Sequence, residues 1–179
     1  GGSTKSTTCH TLAVGLKLKG FKVLLVDCDS QCNLSYVSRV ETQDNENTLY
    51  ELMKGERTPE DVIVHTNYYD IIPGSLSMSR ADNEFTREPY IANCYYLLKE
   101  QIDKVKNNYD FILIDTPPTL TLITQNCLVA SDSIIIPTQA DSFCISGLVN
   151  LKTQLDVITS RTMNKNLYIE GILVTKFTD

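Results

Sequence analysis

At 179 residues, of which 42% are hydrophobic and 21% charged, the chain has the length and composition of one globular domain, not of a disordered or fibrous protein. It has no run of 18 or more apolar residues and no basic, then apolar leader, so we expect neither a membrane span nor a signal peptide. The net charge of −6 argues against a surface that attracts nucleic acid throughout, but it permits a local basic patch. A cytoplasmic protein is the expectation.

Six cysteines lie at positions 9, 28, 32, 94, 127 and 144, inside otherwise apolar or helical stretches. This scatter favours reduced, mostly buried thiols over a disulfide framework. The spacing of Cys28 and Cys32 fits no common zinc signature, and His10 and His65 lie far from a second group of ligands. We therefore expect no metal-thiolate site.

The first predicted elements are a helix and a buried strand. Apolar residues at helical spacing predict the helix over residues 5–19, and Gly20 stands where a helix end favours a residue that tolerates positive φ. The apolar run 22–27 (KVLLVD) ends in an acid and is typical of a buried parallel strand.

Short helices and further strands follow. A helix is predicted over residues 48–54, closed by Gly55, and the sequence 58–60 (TPE) begins another. A helix is predicted over about residues 89–106, with Leu98, Ile102 and Val105 on one face. Further strands are predicted at residues 69–73, 110–115, 133–137 and 168–175. A helix before the last strand has one apolar face, formed by Leu148, Leu151, Leu155 and Ile158.

Strands and helices therefore alternate throughout. Such alternation predicts right-handed crossovers and an α/β fold: a doubly wound, mostly parallel sheet with helices on both faces. Ligands of such sheets bind at the carboxyl ends of the strands. Asp27 and Asp115, each at the end of a strand, mark where we expect the ligand.

The opening residues 1–8 (GGSTKSTT) precede a helix and match the last part of a phosphate-binding loop. Glycines let the backbone approach phosphate, and the N–H groups of the helix start supply positive potential. Lys5 adds a charge, and the Ser6 hydroxyl can bind magnesium. Taken alone, the segment could equally be a flexible glycine-serine tail, so the other motifs decide between the two.

These residues resemble the KGGxGK[ST]T loop of the ParA, Soj and MinD family of deviant Walker A P-loop ATPases. The resemblance implies that ATP is bound by Gly1, Gly2, Ser3, Thr4, Lys5, Ser6 and Thr7. It also implies a single P-loop ATPase domain over residues 1–179, truncated at both ends. The first strand and the signature lysine would precede Gly1, and the adenine-closing segment and C-terminal helices would follow Asp179.

Thr4 stands where the family loop has glycine. If that position requires positive φ or a close approach to phosphate, a threonine there would cost about 1–3 kcal/mol and weaken nucleotide binding. The alternative is a subset of the family that tolerates threonine with a slightly shifted loop.

Residues 23–33 (VLLVDCDSQCN) resemble the family's VLLVDxDPQxN, with Ser30 in place of the proline. By this resemblance Asp29 orients or activates the attacking water, and Lys5 acts in catalysis as well as in binding. Asp27 supports the magnesium ion and the loop, and so belongs to the cofactor site. Two acids that only solvate a strand end are the alternative, which the matched context disfavours.

Residues 112–118 (ILIDTPP) resemble the family's Walker B strand and the start of its switch II. Asp115 would hold a magnesium-bound water close to the Ser6 hydroxyl, so the implied metal site comprises Ser6, Asp29 and Asp115. Residues 122–148 are similar to the family's path through a helix, a strand ending in IPxQ and a loop into another helix. Four motifs in the right order are more specific than any one of them.

The resemblance is closest to plasmid and chromosome partition proteins. It implies an ATP-dependent homodimer with Mg²⁺ that binds DNA without sequence preference, through segments outside this chain. A centromere-binding, ParB-like partner would stimulate hydrolysis. The protein would act in the cytoplasm, at the nucleoid or on a plasmid, and would not bind a membrane. The alternatives are a non-hydrolysing scaffold with the loop weakened by Thr4, or another deviant Walker A protein, such as a MinD-like, tyrosine kinase-like or iron-sulfur reductase ATPase.

Overall fold

A computed structural model describes residues 4–42, 47–139, 152–153, 155–159 and 163–175 of the chain. The first helix, α1 (Thr4–Leu18), is followed by Gly20, whose φ of 93° lies in the left-handed region that glycine adopts without penalty. The chain then enters β1 (Val23–Asp27), in which all five residues are buried. Both predicted elements are confirmed to within one residue at each end.

β1 lies inside a four-stranded sheet. Its other strands are β2 (Val64–His65), β3 (Asp70–Ile72) and β4 (Phe111–Asp115), in the order β2-β3-β1-β4. β1 is parallel to both β3 and β4, whereas β2 is antiparallel to β3. A separate parallel pair is formed by β5 (Ser133–Gln139) and β6 (Tyr168–Thr175). The prediction of a mostly parallel sheet is confirmed. Strand β2 was not predicted, because two residues are too few to show a sequence period.

Helices connect most of these strands. Further α-helices are α2 (Asn33–Val37), α3 (Leu49–Lys54), α4 (Pro59–Val62), α5 (Met78–Glu84), α6 (Leu97–Val105) and α7 (Leu122–Ala130). The predicted helices at 48–54 and from Pro59 are confirmed as α3 and α4. In a helical stretch at 155–159, Leu155 and Ile158 are buried, while Leu148 and Leu151 lie outside the described residues.

Helix α6 is shorter than its apolar pattern predicted. Residues 89–96 form successive turns, and the helix begins only at Leu97. In these turns the N–H groups of Tyr90, Asn93 and Tyr96 each donate to the carbonyl three residues earlier, at 2.9, 3.1 and 2.8 Å. A bond to residue i−3 winds the chain more tightly than an α-helix, so the apolar spacing does not extend upstream of Leu97 as a helical face.

The core has two layers, one on each face of β1. Leu24 and Val26 belong to a hydrophobic cluster with residues of α3, α5, α6 and α7. Val23 and Leu25 belong to a second cluster, with residues of α1 and α2. Since successive side chains of a strand point to opposite faces, the run of apolar residues in β1 matches burial on both sides. The prediction of helices on both faces is confirmed.

Asn126 joins α7 to the start of α6. Its side chain is fully buried, and its amide nitrogen donates to the carbonyls of Cys94 (2.7 Å) and Leu122 (3.1 Å). The amide oxygen accepts a hydrogen bond from the Leu98 N–H (3.1 Å), one of the N–H groups that the first turn of α6 leaves without a helical partner. The buried amide thus holds together two helices that pack on the same face of β1.

Replacing Asn126 by alanine is expected to lower the free energy of unfolding by about 3 kcal/mol, because the Leu98 N–H and the Cys94 carbonyl lose their buried partner. Urea denaturation followed by circular dichroism measures the change. Asn93→Ala is the control, since the Asn93 amide donates to an exposed Glu100 carboxylate and should cost under about 1 kcal/mol. Equal losses in the two variants would contradict the structural role given to Asn126.

Candidate functional site

The carboxyl ends of β1 and β4 bring two acids together. Asp27 and Asp115 are register partners in the parallel pair, and neighbouring strands lie about 4.8 Å apart. The next residue of the first strand continues the contact, because the Cys28 N–H donates to the Asp115 carbonyl (3.0 Å). Both acidic residues are buried: Asp27 is 0% exposed and Asp115 is 1% exposed. The edge predicted to bind a ligand therefore carries two adjacent buried carboxyl groups.

Hydrogen-bond donors surround the Asp27 carboxylate. Its Oδ2 accepts from the backbone N–H (2.8 Å) and the hydroxyl (2.7 Å) of Ser35 in α2. Its Oδ1 accepts from the Asp29 N–H (3.2 Å). Burial raises the pKa of Asp27 above its usual value, while the bonds from Ser35 and Asp29 oppose the rise. Asp27 therefore binds the loop after β1 to the helix that follows it.

Asp29 lies in that loop and is 7% exposed. Its side-chain Oδ1 accepts from the Gln31 N–H (3.0 Å), and its carbonyl accepts from the Cys32 N–H (2.9 Å). Cys32 has a φ of 52°, in the left-handed region that non-glycine residues enter at a cost. These contacts form a tight turn that holds the Asp29 carboxylate near the strand end.

Gly74, two residues after β3, lies against the same turn. A Cβ atom placed on it would be 2.9 Å from the Asp27 carbonyl oxygen and 3.2 Å from both the Asp27 Cγ and the Asp29 carbonyl oxygen. The Gly74 N–H donates to the Ser35 hydroxyl (3.0 Å). Only glycine allows this approach without displacing the backbone that carries both acids.

The environment of Asp115 is different, because neither of its carboxylate oxygens has a hydrogen-bond partner within the described part of the chain. Burial raises the pKa of Asp115 to about 6. The nearby Ser6 hydroxyl and Lys5 ammonium favour the charged form, whereas Asp27 and Asp29 disfavour it. The Ser6 hydroxyl lies close by but does not complete a hydrogen bond of ordinary geometry. A buried carboxylate without a partner is costly, and a cation is what would compensate it.

The start of α1 faces this carboxyl group. Ser6 is buried (3% exposed), Lys5 is partly buried, and the Lys5 charge acts on Asp115 as well as on Cys9. Thr4 is the first helical residue, and its carbonyl accepts from the Thr8 hydroxyl (2.6 Å). Because Thr4 is helical, it does not have the positive φ that would strain a threonine at this position of the loop motif.

The structure thus brings together the predicted residues Lys5, Ser6, Asp27, Asp29 and Asp115. Thr4 and the exposed Thr7 lie in the same first turn of α1, while Gly1, Gly2 and Ser3 lie outside the described residues. Two residues at the site were not found from the sequence: Ser35 and Gly74. A buried serine eight residues after Asp27 leaves no pattern, and the only signal for Gly74 is a glycine that follows a strand.

A cavity of about 240 Å³ opens beside the Asp29 loop, lined in part by Ser30, Asp82, Pro117 and Thr119. A larger one of about 660 Å³ is lined by residues such as Lys54, Arg80 and Tyr90 and by none of the site carboxylates. Asp27, Asp29 and Asp115 do not line the smaller cavity either. It is lined by Cys28 and Ser30, the sequence neighbours of Asp29, and by Pro117 and Thr119 from the segment after β4.

Two further observations hold for the described ranges only. No group of three or more His, Cys, Asp or Glu side chains has a geometry that would hold a metal ion by itself. No helix there is long and apolar enough to cross a bilayer.

Comparisons with known proteins place the chain among nucleotide-binding domains. Residues 1–169 match a family model described as an AAA domain. The chain is 36% identical over 177 residues to the sporulation initiation inhibitor protein Soj of Bacillus subtilis (strain 168), which covers 98% of this chain and 68% of that protein. It is 31% identical over 179 residues to the chromosome partitioning protein ParA of Myxococcus xanthus (99% and 62%). The chain thus spans about two thirds of the length of these relatives.

Solved structures agree with this placement. A cobyrinic acid a,c-diamide synthase from Mycobacterium smegmatis with bound ADP and magnesium matches with a TM-score of 0.92 and 26% identity, over 99% of this chain and 71% of that one. A plasmid partition protein from Borrelia burgdorferi matches with a TM-score of 0.82 and 29% identity, over 100% and 76%.

Replacing Gly74 by alanine is expected to destabilise the fold by about 1–3 kcal/mol, since the added methyl group overlaps the Asp27 carbonyl. The control is Gly15→Ala in α1, where a Cβ meets nothing within 4 Å and should stabilise by about 0.5–1 kcal/mol through helix propensity. Urea midpoints of both variants check the pair. A neutral Gly74→Ala variant would show that the strand ends are not tightly packed there.

A second expectation concerns pH and the Asp115 carboxyl group, with magnesium and nucleotide absent. Because its pKa is about 6 in the folded chain and 3.8 for an aspartate in an unfolded peptide, the folded state binds more protons between these values, and stability falls as pH rises through them. Asp115→Asn should therefore stabilise by about 3 kcal/mol at pH 7.5 and by about 1 kcal/mol at pH 4.5.

The control for Asp115→Asn is Asp103→Asn. Lys106 and Lys99 hold the pKa of Asp103 below its usual value, so removing that charge should lower stability at pH 7.5. Chemical denaturation at the two pH values measures both variants. A gain for Asp115→Asn that does not change with pH would contradict the electrostatic explanation.

Proposed function

The chain belongs to the ParA and Soj family of P-loop NTPases, and on that premise we propose that it is an ATPase switch that partitions DNA. The observation that carries the proposal is the buried Asp115 carboxylate, which lacks a hydrogen-bond partner in the described chain and lies beside Ser6 and Lys5. A site of this kind needs a cation, and the helix start above it suits phosphate.

ATP and Mg²⁺ are the proposed cofactors. Ser6, Asp29 and Asp115 would hold the metal ion. The phosphates would be bound by Gly1, Gly2, Ser3, Thr4, Lys5, Ser6 and Thr7. The Mycobacterium smegmatis synthase supports this proposal, since its structures hold magnesium with ADP or with an ATP analog. When bound, magnesium neutralises charge that develops on the phosphates during transfer.

Within the chain, Asp29 is the proposed catalytic residue that orients the attacking water and accepts its proton. The Gln31 N–H holds the Asp29 carboxylate, which fixes its direction without neutralising it. Lys5 stabilises phosphate charge in the ground state and the transition state alike. Asp27, whose oxygens are occupied by Ser35 and Asp29, is left to support the loop and not to meet the nucleotide directly.

Partition of a chromosome or plasmid is the proposed biological role. The Soj and ParA relatives, at 31–36% identity, favour it over the chemistry of the synthase, which is 26% identical. In this proposal ATP drives formation of a cytoplasmic homodimer, DNA contacts come from segments outside residues 1–179, and a ParB-like partner stimulates hydrolysis. No membrane is involved.

The test compares Asp29→Ala with Lys5→Ala in the full-length protein. Asp29→Ala should keep ATP binding and dimerisation, while turnover falls by about 100-fold, as loss of a group that positions water does. Lys5→Ala should lose ATP binding, because the lysine contacts phosphate at every stage. Calorimetry, phosphate release and co-sedimentation with DNA give the three readouts.

Asp110→Ala is the control, because this exposed acid precedes β4 and its carboxylate accepts from the Lys22 N–H (2.7 Å). Its turnover should stay within about twofold of the parent. Parental turnover in Asp29→Ala would rule out the role given to Asp29. A parent that binds ATP and releases no phosphate, with or without DNA and partner, would favour the scaffold instead.

A further inference from the structure

Ser35 is a buried residue that connects three parts of the site. It lies in α2 and has no exposed surface. Its hydroxyl donates to Asp27 Oδ2 (2.7 Å) and accepts from the Gly74 N–H (3.0 Å), and its own N–H donates to the same Asp27 oxygen (2.8 Å). One hydroxyl group therefore uses its donor and an acceptor position to join α2 to the ends of β1 and β3.

The other carboxylate oxygen of Asp27 is bonded to the loop that carries Asp29. Asp27 Oδ1 accepts from the Asp29 N–H (3.2 Å), so Ser35 and Asp29 are held by the two oxygens of one carboxylate. Gly74, whose N–H donates to the Ser35 hydroxyl, also packs against the carbonyls of Asp27 and Asp29 at distances that leave no room for a methyl group. The loop that carries Asp29 is thus held by a hydrogen-bonded carboxylate and by a closely packed glycine backbone.

We propose that Ser35 is a positioning residue that orients Asp29 through Asp27, an inference that rests on the proposed ATPase function. Without its hydroxyl, the Gly74 N–H and one lone pair of Asp27 lose their partner in a buried place. The Ser35 backbone N–H then holds Asp27 Oδ2 without the second bond, and the carboxylate turns more easily away from the Asp29 N–H. The Asp29 side chain would then lose its fixed direction. Ser35 makes no hydrogen bond with residues 4–7, so phosphate binding should be spared.

The test uses Ser35→Ala, Ser35→Thr and Ser38→Ala in the full-length protein. Ser38 is the matched control, because it lies at the end of the same helix and its hydroxyl is also bonded, to the Leu34 carbonyl (2.7 Å) and the Tyr69 hydroxyl (2.9 Å). Three quantities are measured: kcat for ATP, Kd for ATP, and hydrogen exchange of the amides of residues 28–32. Thermal unfolding sets an assay temperature at which all variants are folded.

Ser35→Ala is expected to lower kcat by about 10- to 100-fold, to change Kd for ATP by less than about threefold, and to speed exchange in residues 28–32. Ser35→Thr keeps a hydroxyl and should recover most of kcat. Ser38→Ala should match the parent in kcat and in loop exchange. A loss of ATP affinity parallel to kcat, or equal effects of Ser35→Ala and Ser38→Ala, would overturn the inference.

Hydrogen exchange of the amides of residues 28–32 distinguishes a failure of this inference from a failure of the proposed function. If the parent does not hydrolyse ATP while Ser35→Ala still speeds exchange in residues 28–32, the ATPase proposal fails and the structural coupling stands. Unchanged exchange in Ser35→Ala overturns the coupling whatever the activity. Faster exchange with parental kcat, or a Ser35→Thr variant no more active than Ser35→Ala, overturns the positioning role.

Discussion

The in-register parallel pairing of β1 with β4 places Asp27 and Asp115 side by side at the carboxyl end of a buried sheet. Burial, together with the neighbouring charge of Asp27, disfavours the charged form of Asp115 and raises its pKa. The other features of the site follow from this pairing. The Asp29 loop leaves β1 immediately beyond it, and the start of α1 lies against it with Lys5 and Ser6.

The two acids have different surroundings. Asp27 accepts three hydrogen bonds from its own loop and from α2, which make it part of the framework. Asp115 accepts none from the described residues, and its pKa is raised by burial. Natural proteins keep such costly groups mainly where function needs them, and a bound cation would offset the cost. The difference between two neighbouring carboxylates is therefore the clearest physical sign of a ligand.

Local signals predicted the elements that a short segment can specify by itself. The unbroken apolar runs of β1 and β4, the glycine after α1 and the Thr58-Pro59 start of α4 were all read correctly. The signals failed where contacts distant in sequence decide. The apolar face of α6 does not show where the helix begins, so the turns before it were predicted as helix. The helices α2 and α5 are too short to show a helical period. β2 is defined only by its pairing with β3.

The family, the strand ends that carry acids and the candidate residues Lys5, Ser6, Asp27, Asp29 and Asp115 could be inferred from the sequence. This was possible because the motifs and the apolar runs are each specified by a short stretch of neighbouring residues. The fold was needed to show which of the two acids has hydrogen-bond partners among the described residues, since the donors come from other elements. Ser35 reaches Asp27 from a helix, and Gly74 reaches Ser35 from the segment after β3. No spacing along the chain reveals these contacts, which are made across 8 and 39 residues.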